Sequence, residues 1–331
     1  GAAVPTRRQR LCRRLLLRSL AGIEGGRLVL CDGDGRHAVG QGAEIELDVR
    51  DGAFYPAALW EQSSGVGRAY ACGWWTCSDP VELMRLLARN EPVIRRWTAP
   101  TLGLLAPWHR LRLWRRRNTE VQARRNILAH YDLGNDFFAA FLDPGMTYSC
   151  AVFQESGDDL QDAQTNKLDR ICRKLDLGPR DHVLEIGTGW GSFALHAAGN
   201  YGCRVTTTTI SAEQAVLARE RIRQAGLADR VTVLEEDYRR LAGSYDKLVS
   251  IEMIEAVGVP YFPAYFRACS RLLRPEGAML LQAIVVDNRH FRHDARHEDF
   301  IKRWIFPGGV LPSTQEIARR VAENTDLRLA H

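Results

Sequence analysis

The stretch VLEIGTGWG, at Val183–Gly191, decides the fold class of this chain. An apolar strand pattern runs directly into three glycines, Gly187, Gly189 and Gly191, and the helical pattern SFALHAAGNYG follows at once. Glycine lets a backbone turn tightly and approach a ligand where a Cβ atom would collide. A glycine-rich turn between a strand and a helix is typical of cofactor binding at the carboxyl end of a parallel strand.

Strand and helix patterns continue to alternate after this turn. The predicted strands begin at residues 182, 204, 231, 245 and 278, and helical patterns separate most of them. Regular alternation of this kind indicates parallel strands with helices on both faces. The predicted fold class is therefore α/β: a Rossmann-like domain with a mixed, mostly parallel sheet, preceded by a small α+β N-terminal domain.

Three details favour S-adenosylmethionine over a dinucleotide as the cofactor, and so a domain of the methyltransferase type. The glycine spacing is GxGxG, the acidic residue Glu185 lies two positions before the first glycine, and an aromatic loop precedes the unit. The alternative is a purely structural β–α turn. The second strand ends in TTTTIS without a carboxylate for the ribose hydroxyls, so hydroxyl and amide side chains must make the polar contacts. The candidates are Thr209, Ser211 and Gln214, with Asp237 and Tyr238 of the third strand for the adenine amino group and ring.

Changes in sequence character divide the chain into three parts. Residues 1–91 are predicted to form the small α+β domain, with short strands at about 27–39, 43–49 and 66–75, a hairpin turn at Asp32–Gly35 and a helix from Pro80. Residues 92–125 are interpreted as a basic helical linker. Residues 126–331 are the predicted methyltransferase domain, interpreted as incomplete at its C-terminus, where residues 327–331 would run as a sixth strand.

Composition limits the class of protein. With 45% apolar and 26% charged residues among 331, the chain has ordinary globular values. It contains no apolar run of about 18 residues, the length that would predict a membrane span. Eight scattered cysteines without a CxxC pair indicate reduced thiols and a cytoplasmic location, and no metal site is expected.

Positive charge clusters in two stretches, Arg7–Arg18 and His109–Arg125, and tryptophans are interleaved in the second. Both stretches fit either an anionic membrane surface or a solvated helix face. No nucleic-acid motif accompanies them, which favours a membrane over nucleic acid. The expectation is peripheral binding at the inner face of the membrane.

Six ordered segments resemble the cyclopropane-fatty-acyl-phospholipid synthases and the related mycolic acid cyclopropane synthases. They are HYDLGNDFF (130–138), MTYSCAVF (146–153), LEIGTGWGS (184–192), TIS (209–211), EMIEAVG (252–258) and FIKRWIFPGGVLPS (300–313). The resemblance implies transfer of the methyl carbon of S-adenosylmethionine to a cis double bond of an unsaturated phospholipid acyl chain, which forms a cyclopropane. A homodimer is the assembly considered with it.

The resemblance also implies which residues line the two sites. The cofactor pocket would include Tyr131, Tyr148, Ser149, Gly187, Gly189, Gly191, Thr209, Ser211, Gln214, Asp237 and Tyr238. A bicarbonate ion would lie near Cys150, Glu255 and a histidine of the fifth strand, whose position is Gln282 in this chain. Gln282 can donate a hydrogen bond but cannot take up a charge, and some relatives with glutamine there add a methyl or methylene branch.

The proposed chemistry gives these residues their roles. An alkene is a weak nucleophile, so proximity and exclusion of water must do most of the catalysis. Methyl transfer leaves a carbocation, and ring closure then needs a base. Bicarbonate oriented by Glu255 is the predicted base, with Glu252 a less favoured alternative. A covalent role for Cys150 is not favoured, because no basic partner lies nearby in the sequence. The competing hypotheses are a methylene- or methyl-branched product, methylation of a soluble small molecule, and an inert lipid-binding module.

Overall fold

The computed structural model describes residues 4–94, 119, 122, 123, 125, 126 and 133–330. The chain forms two units: Gly1–Arg115 with Arg296–Ile305, and Arg116–Ala295 with Phe306–His331. The basic linker lies mostly outside the described residues, and the predicted domain limits stay a prediction. Within the first unit, Arg303 donates a hydrogen bond to Glu61 over 3.1 Å.

The first unit contains a four-stranded sheet. Its described elements are α1 (Arg7–Ser19), β1 (Gly26–Asp32), β2 (Gly35–Gln41), β3 (Glu44–Val49), α2 (Phe54–Ala71), β4 (Trp75–Cys77) and α3 (Pro80–Arg89). The strand order is β2-β1-β3-β4; β1 and β3 are parallel, and the other two pairs are antiparallel. Apolar side chains of all three helices pack with those of the sheet in one core.

The predicted hairpin turn at Asp32–Gly35 is confirmed, and a buried ion pair joins it to two helices. Arg13 of α1 contacts the Asp32 carboxylate over 2.5 Å, and the Tyr55 hydroxyl of α2 donates to it over 2.5 Å. The Asp32 side chain is only 1% exposed. Although burial acts to raise it, hydrogen bonds from Tyr55 and Arg13 hold the pKa of Asp32 below its ordinary value.

The strand predicted over residues 66–75 is wrong for most of its length, because α2 continues to Ala71. This helix is kinked at Gln62, where φ is 54°. The kink brings Gly65 so close to the carbonyl group of Ala57 that a Cβ atom on the glycine would lie 2.1 Å from the oxygen. The glycine in this stretch therefore serves helix packing, which a short alternating pattern does not reveal.

The second unit contains a five-stranded sheet whose described strands all run parallel, in the order β7-β6-β5-β8-β9. Its described elements are α4 (Asn135–Ala139), α5 (Leu160–Lys174), β5 (His182–Ile186), α6 (Ser192–Tyr201), β6 (Arg204–Thr208), α7 (Ala212–Gln224), β7 (Val231–Leu234), β8 (Tyr245–Ile251), α8 (Phe262–Leu272), β9 (Leu273–Gln282), α9 (Asn288–Asp294) and α10 (Thr314–Asn324). Helices α5 to α7 contribute to one apolar core and α8 to another. The predicted Rossmann-like α/β class is confirmed.

The sixth strand predicted at residues 327–331 is not formed by residues 327–330, the part of it that the structure describes. The backbone N–H of Leu327 donates to the Thr325 hydroxyl over 3.2 Å, and its side chain packs against the core beside α8. Local hydrogen bonding after α10 therefore replaces strand pairing here. Among the described helices, none is both long and apolar enough to cross a bilayer.

Candidate active site

The strand order reverses between β5 and β8, which is where ligands bind in open α/β sheets. The glycine turn follows β5 at this point, and its three glycines have φ values of 102°, 51° and 89°. A Cβ atom on Gly187 would lie 3.3 Å from the Met253 side chain, just after β8, and one on Gly191 would lie 3.3 Å from Ala218 Cβ. The turn therefore requires glycine for both conformation and space.

Glu185 is buried beneath this turn, and its contact with the cofactor stays a prediction. The residue is 2% exposed, and its Oε2 atom accepts a 2.6 Å hydrogen bond from the Thr207 hydroxyl. Thr207 lies 2.7 Å from the Thr188 hydroxyl of the turn. Burial raises the pKa of Glu185 to about 8. Glu185 therefore stabilises the turn through the hydrogen bonds that link it, by way of Thr207, to Thr188.

The polar residues predicted after β6 come together at the start of α7. Ser211 is the N-cap of the helix and accepts from the backbone N–H of Gln214 over 3.3 Å. The Thr209 hydroxyl donates to the Gln214 side chain over 2.8 Å. All three are less than one-tenth exposed. They form one capping network, and their contact with a cofactor stays a prediction.

Asp237 has a charged neighbour that the sequence argument did not consider. Arg239 donates to both of its carboxylate oxygens, over 2.8 and 2.5 Å. Tyr238 packs edge-on against Tyr265 with ring centroids 5.6 Å apart, and burial raises its pKa. Contact of Asp237 and Tyr238 with adenine stays a prediction, and an adenine amino group would share the carboxylate with Arg239.

Two side chains of α5 hold the loop Thr147–Cys150, and sequence analysis missed both. Gln164 donates to the carbonyl groups of Thr147 and Ser149 over 3.2 and 2.8 Å, and the Lys167 ammonium donates to the Ser149 hydroxyl over 2.5 Å. Lys167 is 1% exposed, and burial lowers its pKa to about 8. The available signal was the presence of these polar residues on the apolar face of the helix.

Cys150 and Gln282 meet as predicted, but the carboxylate between them belongs to Glu252. Its Oε1 atom accepts from the Cys150 backbone N–H over 2.9 Å and from the Gln282 side-chain amide over 2.9 Å. The same amide lies 3.3 Å from the Cys150 sulfur. Burial and the hydrogen bond with Glu252 raise the pKa of the Cys150 thiol, which does not favour a covalent nucleophile.

Glu255, the acid preferred in the sequence argument, makes a different contact. Its Oε1 atom accepts from the Ile284 backbone N–H over 2.6 Å, whereas its Oε2 atom is buried without a hydrogen-bond partner among the described residues. Burial raises the pKa of Glu255 to about 7. The structure thus separates the two acids, with Glu252 at the cysteine and glutamine. Tyr131, a further predicted cofactor contact, lies outside the described residues.

Comparison with known proteins agrees with this arrangement. Residues 118–331 match the family described as mycolic acid cyclopropane synthetase. The chain belongs to this family. At the level of the family, the predictions of the fold and of an S-adenosylmethionine-dependent methyltransferase are confirmed.

Two relatives illustrate the similarity. The chain is 40% identical over 276 residues to the tuberculostearic acid methyltransferase of Mycobacterium tuberculosis, covering 80% of this chain and 63% of that protein. It is 39% identical over 286 residues to the cyclopropane-fatty-acyl-phospholipid synthase of Escherichia coli, covering 85% and 71%.

Solved structures show the same fold. The cyclopropane synthase MmaA2 of Mycobacterium tuberculosis aligns with a TM-score of 0.58 at 29% identity, covering 63% of this chain and 76% of that one. The mycolic acid cyclopropane synthase CmaA1 complexed with SAH and CTAB aligns with a TM-score of 0.56 at 33% identity, covering 61% and 74%.

The residues present do not fit the bicarbonate ion that the resemblance implied. Of the three residues that the resemblance places around it, Cys150 and Gln282 are both bonded to Glu252 through the backbone N–H and the side-chain amide, and Glu255 offers a carboxylate whose Oε2 atom has no described partner. An anion placed among them would have to displace the Glu252 carboxylate or lie beside it, and like charges at such a distance repel strongly in a partly buried site. We therefore assign no step to bicarbonate.

Proposed function

We propose that this chain transfers the methyl group of S-adenosylmethionine to a cis double bond of an unsaturated phospholipid acyl chain. The observation that carries the proposal is the meeting of two features at the strand-order reversal. The glycine turn after β5 lies beside the segment after β8, and that segment holds the Glu252 contact with Cys150 and Gln282. A cofactor turn and a positioned carboxylate at one edge are what methyl transfer followed by proton removal requires.

The reaction needs little more than positioning from the protein. The sulfonium methyl group is a strong electrophile, and the alkene carbon attacks it when both are held in line and water is excluded. The carbon–sulfur bond breaks, and the new carbon–carbon bond leaves a positive charge on the neighbouring acyl carbon. Loss of a proton from the transferred methyl group then closes the cyclopropane.

A methylene- or methyl-branched product is the second candidate, because one relative is a tuberculostearic acid methyltransferase and the other a cyclopropane-forming synthase. The two identities, 40% and 39%, do not separate these outcomes. All of these outcomes share the first step. In the methylene product a hydride first moves from the methylated carbon to the cationic carbon, and the transferred methyl group then loses a proton to form the double bond. A saturated methyl branch further requires a hydride donor, such as a reduced nicotinamide or flavin, to reduce that double bond.

One face of α1 supports an anionic membrane as the partner. Leu11 and Leu15 are 57% and 42% exposed, and the exposed arginines Arg7, Arg14 and Arg18 share their side of the helix. Apolar side chains flanked by arginines are typical of helices that lie in the headgroup region. The second predicted basic patch, His109–Arg125, lies mostly outside the described residues. The homodimer and the cytoplasmic location stay predictions.

Incubation with labelled S-adenosylmethionine and unsaturated phospholipid vesicles, followed by mass spectrometry of the fatty acids, tests the proposal. We expect acyl chains one carbon heavier together with S-adenosylhomocysteine. Cofactor turnover only with a soluble acceptor would favour small-molecule methylation, and lipid binding without turnover would favour a lipid-binding module. The variant Gly191→Ala, which crowds the cofactor turn, is the negative control.

Sedimentation with vesicles tests the membrane contact separately. We expect more binding to anionic than to zwitterionic vesicles, and less binding by the double variant Leu11→Ser/Leu15→Ser. Val216→Ser, at an equally exposed apolar residue on α7, is the matched control. Equal sedimentation of the double variant and the unaltered chain would remove α1 from the membrane contact.

A further inference from the structure

We infer that the Glu252 carboxylate is the base of the reaction and takes the place of a bicarbonate ion. The inference rests on the proposed function, since it concerns the step that follows methyl transfer. The geometry that supports it is the pair of hydrogen bonds to a single oxygen, Glu252 Oε1, from Cys150 and Gln282.

The backbone directs Glu252 to this position at a conformational cost. Its φ is 49°, in the left-handed region that non-glycine residues rarely adopt. Its backbone N–H donates to the Gln282 carbonyl group over 2.8 Å, which ties the end of β8 to the end of β9. A strained residue that presents a carboxylate at the ligand edge of the sheet points to a functional role for that side chain.

The second oxygen of this carboxylate is left to accept a proton. Glu252 Oε1 accepts two amide hydrogen bonds, whereas no N–H or hydroxyl group of the described residues donates to Oε2; the Cys150 thiol is the other hydrogen-bonding neighbour of this carboxylate. The two amide donors orient the group without protonating it, and burial together with the hydrogen bond to Glu252 raises the pKa of the Cys150 thiol, which keeps its proton on sulfur. This arrangement is that of a positioned general base.

The charges around the site favour one carboxylate anion and no second anion. The ammonium group of Lys167, bonded to Ser149, is a neighbouring positive charge that acts on Glu252. Burial raises the pKa of Glu255 to about 7, which disfavours its charged form. A bicarbonate ion would add a second negative charge beside Glu252. Among the described side chains that bond to Cys150, Glu252, Gln282 and Ser149, Lys167 is the one cation, so no second cation balances that charge.

The proposed step balances as follows. The sulfonium methyl group has already moved to one alkene carbon, and its electron pair has stayed on sulfur as S-adenosylhomocysteine. Glu252 Oε2 removes a proton from the transferred methyl group, and the electrons of that C–H bond close the ring onto the cationic carbon. The protonated Glu252 then releases its proton to water.

Titration with ¹³C-bicarbonate, followed by the ¹³C line width, tests the inference without any lipid turnover. We expect no binding by the unaltered chain in the presence of S-adenosylhomocysteine. Glu252→Gly is expected to bind the ion, because it removes the carboxylate and glycine accepts a φ of 49° without strain. Bicarbonate binding by the unaltered chain would overturn the inference, whatever the outcome of the lipid assay.

Vesicle assays in carbon dioxide-free buffer give the second test. The unaltered chain should be equally active with and without added bicarbonate. Glu252→Gln should lose about a hundredfold or more of its activity, and Glu252→Gly should be inactive until bicarbonate or formate is added. Glu276→Gln, at an exposed acid of β9, is the matched control. The inference would be contradicted if the unaltered chain required bicarbonate for turnover, or if Glu252→Gln kept full activity. If neither the unaltered chain nor any variant turned over, the result would count against the proposed function instead.

Discussion

Replacement of Lys167 by methionine is expected to increase stability and decrease activity at the same time. Burial lowers the pKa of Lys167 from its ordinary 10.5 to about 8. Because one pH unit corresponds to about 1.4 kcal/mol, the ammonium form is disfavoured by about 3 kcal/mol in the folded protein. Loss of the bond to Ser149 offsets about 1.5 kcal/mol of this. The net expectation for Lys167→Met at pH 7 is about 1–2 kcal/mol of added stability.

The sign of the pH dependence follows from the direction of the pKa change. Below about pH 8 the side chain is protonated in both states, so the full penalty of burial is present. Between pH 8 and 10.5 the unfolded chain holds a proton that the folded chain has released, so the stability of the unaltered chain rises with pH. The advantage of Lys167→Met should therefore be largest at neutral pH and disappear by about pH 10.

Urea unfolding at pH 7 and pH 10 measures this difference, and Lys174→Met, at an exposed position in the same helix, is the matched control. We expect the control to change stability by less than about 1 kcal/mol. The activity of Lys167→Met should fall roughly tenfold, because a bond of about 1.5 kcal/mol to the Ser149 loop is lost. A stability loss at pH 7 would refute the reasoning, since the ammonium group would then be a net stabilising charge.

Three further substitutions test other parts of the structure. Gly191→Ala should lose about 1–3 kcal/mol of stability and weaken cofactor binding, because φ is 89° and a Cβ atom would lie 3.3 Å from Ala218. Gly189→Ala, at a glycine with open space around it, should lose less stability in calorimetry. Equal losses by the two variants would count against the steric explanation. The pKa of Glu185 is raised to about 8 in the folded chain, so the unaltered chain loses stability as the pH rises from 4.5 to 8. Glu185→Gln should remove this loss and make the unfolding temperature less dependent on pH in that range. An unchanged pH dependence of the unfolding temperature would contradict this. Asp32→Asn should destabilise the first unit by about 1–3 kcal/mol, because the buried Arg13 loses its 2.5 Å contact and keeps only the 3.2 Å contact with Asp34. A change under about 0.5 kcal/mol in urea unfolding would show that the pair contributes little.

The regular part of the second unit could be predicted because its signals are local. Apolar strand runs, helical periodicity and the spacing of Gly187, Gly189 and Gly191 each follow from neighbouring residues. The strand predicted over residues 66–75 fails for the opposite reason. Its sequence is compatible with a strand or a helix. The helix α2 forms because Gly65 allows close packing against the carbonyl group of Ala57, a contact that the local pattern does not reveal.

Part of the membership of the candidate site could be predicted, but its contacts could not. Cys150 and Gln282 meet, as the resemblance implied. Glu252, and not Glu255, contacts Cys150 and Gln282 where the backbone after β8 is left-handed at Glu252. A left-handed conformation at a residue other than glycine cannot be predicted from the residue type. Lys167 was missed because a lysine in a helical pattern is normally solvated, and only packing shows that this one is buried.

Mass spectrometry of the acyl chains after reaction with S-adenosylmethionine carrying a trideuterated methyl group follows both the transferred carbon and the lost proton. We predict that unsaturated phospholipid acyl chains lose their double bond, gain one carbon and keep two of the three deuterium atoms, because one is removed as the ring closes. Acyl chains that stay unchanged while S-adenosylhomocysteine accumulates, or that retain all three deuterium atoms, would contradict it.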